Sequence, residues 1–341
     1  MSRGRASGPL DGIDAVFADL DGVVYAGAQA IPGAVDALNR VASGLPVGYL
    51  TNNASRTDKQ VAEHLRALGL NASAEQVFTS PQAAMRLLGE RVPRGEAVLL
   101  IGGDGIRVEL EQAGYRVVRS ADEHPAAVVQ GFDPTLGWAE LAEAAFALRG
   151  TDTIWIATNM DWTIPVARGI APGNGTLVSA VHTAAGRMPD AVAGKPEPAL
   201  FELALARFGV ERALMIGDRL DTDIAGANRA GWASAHVLTG IDQAKQLLAA
   251  EPDERPDFIL PGLGGLFEPY DPAELVRGEW RCGAARVAID GTRVRVRRAG
   301  SRLELLRAGC AAVWGSGYSI HALQLDEALL EFAGASAQTQ P

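Results

Sequence analysis

The chain has 341 residues, enough for two or three domains at roughly 100–200 residues each. Its 48% hydrophobic and 21% charged residues exclude a mostly disordered chain, and a net charge of −10 argues against a general binder of nucleic acid, whose phosphates require basic patches. The longest apolar stretches, such as residues 97–101, are far shorter than the ~20 residues that span a bilayer. The start, MSRGRASGPLDG, has two arginines but no apolar run after them, so neither a leader nor a membrane anchor is expected. Cys282 and Cys310 form neither a disulfide framework nor a zinc motif, and a reducing cytoplasm is the simplest setting. Of the 31 basic residues only Lys59, Lys195 and Lys245 are lysines, so a lysine inside a motif stands out.

In chain order, residues 14–18 read as a buried strand that ends at Asp19-Leu20-Asp21-Gly22. Apolar residues at helical spacing follow over 32–43, with Pro32 in the first turn. A second strand, 47–50, ends at Thr51-Asn52-Asn53. Thr57-Asp58-Lys59-Gln60 is a capping-box pattern ahead of the next helix. The alternation restarts after Pro93, with strands predicted at 98–101, 115–118, 127–130 and 153–157 and helices at 105–113 and 136–148. Residues 161–175, rich in Gly and Pro, read as a loop. The helix–strand alternation then resumes over 198–260, with strands at 213–216, 233–238 and 258–260 and helices at 198–208, 222–230 and 242–249. Beyond about residue 270 the pattern changes to a hairpin with an Asp290-Gly291 turn and two helical stretches, 303–311 and 323–332. This tail carries nine arginines against eight acids, and residues 335–341 are expected to fray. Strands alternating with helices predict an α/β fold with a doubly wound parallel sheet.

Asp19-Leu20-Asp21-Gly22-Val23 is the strongest local signal. In open α/β sheets ligands bind beyond the carboxyl ends of the strands. Two carboxylates there suit a hard divalent cation or paired nucleophilic and acid–base work. A plain acidic turn is the bland alternative. A calcium loop fails because Gly22 comes too early and Val23 stands at a ligand position. A manganese-dependent glycosyl transferase would leave the other strand ends unexplained. Those ends carry Thr51-Asn52, suited to phosphate oxygens before a helix start, and Gly217-Asp218-Arg219-Leu220-Asp221-Thr222-Asp223, where Asp218 and Asp223 can face one cation. In Gly194-Lys195-Pro196 the proline restricts the backbone before it, so the ammonium is placed rather than loose, while Lys59 and Lys245 read as surface charges.

Taken together, Asp19-Leu20-Asp21-Gly22-Val23, Leu50-Thr51-Asn52-Asn53, Gly194-Lys195-Pro196 and Gly217 through Asp223 resemble the four motifs of haloacid dehalogenase (HAD)-superfamily phosphatases. Their order and spacing resemble the type IIA, NagD-like subfamily, which includes 4-nitrophenyl, phosphoglycolate and glycerol-phosphate phosphatases. The cap segment around Ala157-Thr158-Asn159-Met160-Asp161 is similar too. The resemblance covers about residues 14–267 and implies a HAD core of residues 1–83 and 190–268, an inserted α/β cap of residues 84–189, and a small α+β extension over 269–341 that the subfamily does not explain.

The resemblance implies Mg²⁺ held by the Asp19 carboxylate, the Asp21 carbonyl and Asp218, with Asp223 orienting metal-bound waters. Asp19 would attack phosphorus to give an aspartyl-phosphate, and Asp21 would protonate the leaving alkoxide and then deprotonate water. Thr51 and the N–H groups near Asn52 would hold the phosphoryl oxygens, and Lys195 would offset the crowded negative charge. Asn159, Asp161 and Arg168 are cap residues that could touch the substrate, although loop packing explains them equally well. The implied substrate is a small phosphate ester, best glycerol 3-phosphate or 2-phosphoglycolate, with pyridoxal phosphate, nucleotides and sugar phosphates as alternatives. A phosphorylated receiver would not need Asp21 or a cap, and a degenerate binding protein would not need intact Asp19, Asp21, Lys195 and Asp218. The cap or the tail could mediate a homodimer. Ile101-Gly102-Gly103-Asp104-Gly105 reads as a tight turn, since Val108 stands where a dinucleotide fingerprint needs its third glycine.

Overall fold

A computed structural model describes residues 8–166 and 168–334. The segment 335–341, expected to fray, lies outside the described residues, as do residues 1–7 of the start read for a leader. Among the described residues no helix is long and apolar enough to cross a membrane. The fold is α/β, with parallel sheets and helices between their strands. The described residues fall into two compact units, one within Met1–Ala26, Ala30–Leu45 and Arg212–Pro341, the other within Gly27–Gln29 and Pro46–Glu211.

In the first unit the strands Phe258–Leu260, Ala233–Val237, Ala213–Gly217 and Ala15–Ala18 lie side by side and parallel, in that order. Ala15–Ala18 and Ala213–Gly217 are buried at every position, as expected for strands covered on both faces. Phe17 stacks at a tilt on Trp232, with centroids 4.8 Å apart. The register aligns Ala18 with Ile216, so the acidic residues that follow the two strands emerge at the same sheet edge. The segment expected as one helix over 222–230 is instead a wide π-type turn, Leu220–Ile224, leading into a helix, Ala225–Ala230. Such turns concentrate at functional sites because they redirect side chains.

The tail is more ordered than the sequence suggested. Four antiparallel strands, Glu274–Val276, Glu279–Cys282, Ala285–Asp290 and Arg293–Arg298, pair in chain order. The expected Asp290-Gly291 hairpin is their last pair, with Gly291 at φ +62°. The helix Arg302–Gly315 begins at a Ser301/Glu304 capping box. Its Leu305, Leu306 and Val313 share one hydrophobic core with Leu220, Ile224, Leu247, Leu248 and Ile259.

In the second unit Val47–Thr51 pairs with Val77–Thr79. The predicted capping box is present: Thr57 Oγ1 accepts from Gln60 N and Gln60 Oε1 accepts from Thr57 N, opening Asp58–Ala67. A five-stranded parallel sheet follows, in the order Ala191–Val192, Ile154–Ala157, Ala127–Gln130, Ala97–Ile101 and Arg116–Val118. The expected loop over 161–175 is a hairpin, Thr163–Val166 with Gly169–Pro172, and runs into a helix, Asn174–Ala185. That helix is rich in β-branched and small residues and buries only a narrow apolar stripe around Val178 and Val181, so its periodicity is faint.

Candidate active site

A cluster of acidic residues lies in the first unit. Asp19 follows the strand Ala15–Ala18, and its N–H donates to Ile216 O at 2.9 Å. Asp218 follows Ala213–Gly217, and the wide turn returns Asp223 to the same place. Oxygens of these three buried carboxylates lie within 4.8 Å of one another. Like charges about 5 Å apart repel by about 3 kcal/mol at an effective dielectric of ~20, and a divalent cation among them turns that repulsion into binding. Buried carboxylate oxygens are the donor set of a hard cation such as Mg²⁺ or Ca²⁺, so these residues fit the metal that the sequence implies. The backbone is shaped around them. A Cβ on Gly22 or Gly240 would strike the Asp218 carboxylate, and one on Gly217 would strike Asp223. Gly22, at φ +82°, also makes the turn after Asp21, where its N–H donates to Tyr25 O at 2.8 Å. Asp21 itself is exposed, unlike Asp19.

A separate polar cluster lies in the second unit. Thr51 closes the strand Val47–Thr51 and is buried, with its Oγ1 accepting from Asn53 N at 3.1 Å. The Asn52 amide is a clamp. Its Oδ1 accepts from Lys195 N at 2.8 Å, and its Nδ2 donates to Lys195 O and to Asp161 Oδ1, both at 3.0 Å. Lys195 is 3% exposed and its Nζ donates to Leu50 O at 3.2 Å, so its ammonium is fixed beside Thr51. The Lys195-Pro196 peptide is cis. Asn159 Nδ2 donates to Asn52 O at 2.8 Å, and Asn159 Oδ1 accepts from Asp161 N at 3.2 Å. Asn52, Asn159, Asp161 and Lys195 are therefore one hydrogen-bonded network. Arg168 lies exposed in the turn between the hairpin strands. Lys59 and Lys245 are exposed, as expected of surface charges.

Two contributors, Ser80 and Asn174, carried no sequence signal. Ser80 Oγ donates to Asn52 O at 2.8 Å, and Asn174 Nδ2 donates to Asn159 O at 2.7 Å. Gly194 has no room for a Cβ against Thr158 O, nor Gly105 against Arg56 O. At Gly105 the Gly-rich turn after Ile101 thus admits the backbone that follows Asn53.

Residues 16–116 match the family model described as haloacid dehalogenase-like hydrolase, and residues 192–266 match one described as HAD-hydrolase-like. D-glycerol 3-phosphate phosphatase of Mycobacterium tuberculosis is 42% identical over 306 residues, covering 88% of this chain and 86% of that protein. Chronophin of Homo sapiens is 36% identical over 284 residues, 78% of this chain and 93% of that protein. Among solved structures, glycerol phosphate phosphatase from Mycobacterium tuberculosis in complex with magnesium superposes with a TM-score of 0.86 at 38% identity, covering 96% of this chain and 99% of that one. The chain belongs to the haloacid dehalogenase-like hydrolase family and is a phosphoric monoester hydrolase.

Proposed function

We propose that this chain is a Mg²⁺-dependent phosphatase of a small phosphorylated metabolite, with glycerol 3-phosphate the first candidate and 2-phosphoglycolate the second. The buried triad Asp19, Asp218 and Asp223 carries the reading, because it gathers hard oxygen donors beside a carboxylate suited to nucleophilic attack. The 42% identity to a D-glycerol 3-phosphate phosphatase supports the substrate. When bound, Mg²⁺ supplies positive charge to the reacting phosphoryl group, held by Asp19, Asp218 and the Asp21 carbonyl with Asp223 adjoining. An Asp19 oxygen forms the new bond to phosphorus as the ester P–O bond breaks, and the leaving alkoxide takes a proton from Asp21. Asp21 then takes a proton from the water that cleaves the aspartyl-phosphate, restoring both carboxyl groups. Its exposure suits a group that trades protons with substrate and solvent. Thr51, the backbone N–H groups near Asn52, and Lys195 serve the phosphoryl oxygens, a role supported by the order of the four motifs along the chain.

Residues 84–189 form the substrate-selecting cap in this reading, inserted between core segments 1–83 and 190–268, with Asn159, Asp161 and Arg168 its candidate contacts. A homodimer would form through the cap or the 269–341 extension, which a measured solution mass tests. A cytoplasmic setting is supported by two buried free cysteines. Phosphate release from a metabolite panel, with Mg²⁺ and with EDTA, tests the function. Asp19→Asn should abolish turnover while melting normally; undiminished phosphatase activity in a normally melting variant would sink the assignment.

A further inference from the structure

The loop Thr239-Gly240-Ile241-Asp242 follows the strand Ala233–Val237 and runs against the Asp218 carboxylate. Three of its residues grip the segments that carry the carboxylates. Thr239 Oγ1 donates to Gly22 O at 2.7 Å, one residue past Asp21. Ile241 N donates to Asp218 Oδ2 at 2.7 Å, which fixes the rotation of that carboxylate. Gly240 lies so close to the same carboxylate that no side chain fits between them.

Asp242 does more than its neighbours. Its N–H donates to Asp218 O at 3.1 Å, and its Oδ2 accepts from Leu220 N at 2.7 Å. It therefore holds both ends of the Asp218–Arg219–Leu220 segment, the backbone that aims Asp218 and begins the wide turn to Asp223. An ionised carboxylate makes the stronger kind of bond to such an N–H. Below it, His236 Nε2 donates to Asp242 O at 2.9 Å, so the grip is anchored to the sheet.

We propose that Asp242 is a positioning residue of the metal site, setting Asp218 and the turn to Asp223 without touching the ion, so that Mg²⁺ affinity depends on it. The proposal rests on the Mg²⁺-phosphatase reading above. Outer partners of metal ligands typically contribute about 10–100-fold in affinity. The test is a Mg²⁺ titration of the full-length protein without substrate, read by thermal melting, alongside kcat and KM at saturating Mg²⁺. Asp242→Ala should bind Mg²⁺ about tenfold more weakly or worse, while its KM for substrate at saturating Mg²⁺ moves little. Asp242→Asn, which keeps an acceptor for Leu220 N, should stay within about threefold of wild type. Asp242→Glu, which keeps the charge but displaces the oxygens, should lose affinity like the alanine variant and stands in for it if that fails to fold. A folded alanine or glutamate variant with wild-type Mg²⁺ affinity overturns the proposal, as does an asparagine variant as weak as alanine. If the wild-type protein itself shows no Mg²⁺-dependent stabilisation, the site reading and the proposal fail together.

Discussion

A carboxylate that must lie where two strands end needs empty space behind it, and Gly22, Gly217 and Gly240 provide that space. Each would place a Cβ inside the van der Waals radius of an Asp218 or Asp223 side-chain atom. Gly240→Ala is therefore expected to leave the fold intact but rotate the Asp218 carboxylate, weakening Mg²⁺ at least tenfold. Calorimetric titration of the variant checks this, and unchanged affinity would show that the loop can yield. His236 makes a different prediction at the same scale. Burial pushes its pKa from 6.5 down to about 4, so the folded protein keeps the imidazole neutral. Between those values the unfolded chain binds a proton that the folded chain does not. The stability from neutral His236 is thus complete above about pH 6.5 and drains away as the pH falls toward 4, by about 3 kcal/mol in all. The half-buried Asp242 carboxyl, whose pKa is raised chiefly by desolvation, works in the opposite sense and offsets part of the loss. Urea unfolding between pH 7.5 and 4.5 should show the decline, and it should be shallower in His236→Gln.

Among the elements, those bounded by strong local chemistry were legible and those bounded by packing were not. The strand at 14–18, the Thr57 capping box and the Asp290-Gly291 hairpin follow from buried runs, a cap and a turn dipeptide, each a property of a few adjacent residues. The helix Asn174–Ala185 and the strands Glu274–Val276 and Glu279–Cys282 were missed because their buried faces are narrow or broken by charge, and their partners are distant in sequence. The site divides the same way. Asp19 and Asp218 could be read because an acid at the end of an apolar strand is costly unless used. Asp242 and Ser80 could not, since what they contribute is a bond to a distant backbone atom. Asn52 lies between these cases. The sequence pointed to the N–H groups near it, whereas the use of its side-chain amide, which binds the Lys195 backbone and Asp161, carried no local signal. Removing that clamp frees Lys195 N–H and C=O within a buried segment, at about 1–3 kcal/mol for each group left unsatisfied. Asn52→Ala should therefore raise KM for the phosphate ester at least tenfold. Asn52→Asp keeps Oδ1 but faces Asp161 with a second charge, and should fare no better. Steady-state kinetics on both variants decides this, and an unchanged KM in a folded alanine variant removes the clamp from the mechanism.

For the whole molecule the unexpected feature is how the C-terminal segment is joined. An appendage that only mediated assembly could be removed without harm. Here Leu220 and Ile224, the first and last residues of the wide turn that carries Asp223, share a core with Leu305, Leu306, Val313 and Leu329. The attachment is polar as well: Trp314 Nε1 donates to Leu247 O at 3.0 Å, and the Arg307 guanidinium donates to Ile259 O at 2.7 Å while lying 4.1 Å from the centroid of the Tyr270 ring. Uncovering Leu220, Ile224, Leu247 and Leu248 would forfeit about 1.5–3 kcal/mol apiece, together as much as the entire net stability of many proteins, about 5–15 kcal/mol. A chain ending at residue 268 is therefore expected to aggregate or unfold rather than to persist as an active enzyme of ordinary subfamily length. Leu306→Ala is the gentler probe. It empties a fully buried position on the extension and should cost about 2–5 kcal/mol. Because the cavity opens in the core that holds Leu220 and Ile224, Mg²⁺ should also stabilise the variant less than it stabilises wild type. Melting with and without Mg²⁺ separates the two effects. A 1–268 chain that melts cooperatively at the full-length temperature and keeps its activity would show instead that the extension is dispensable to the acidic site.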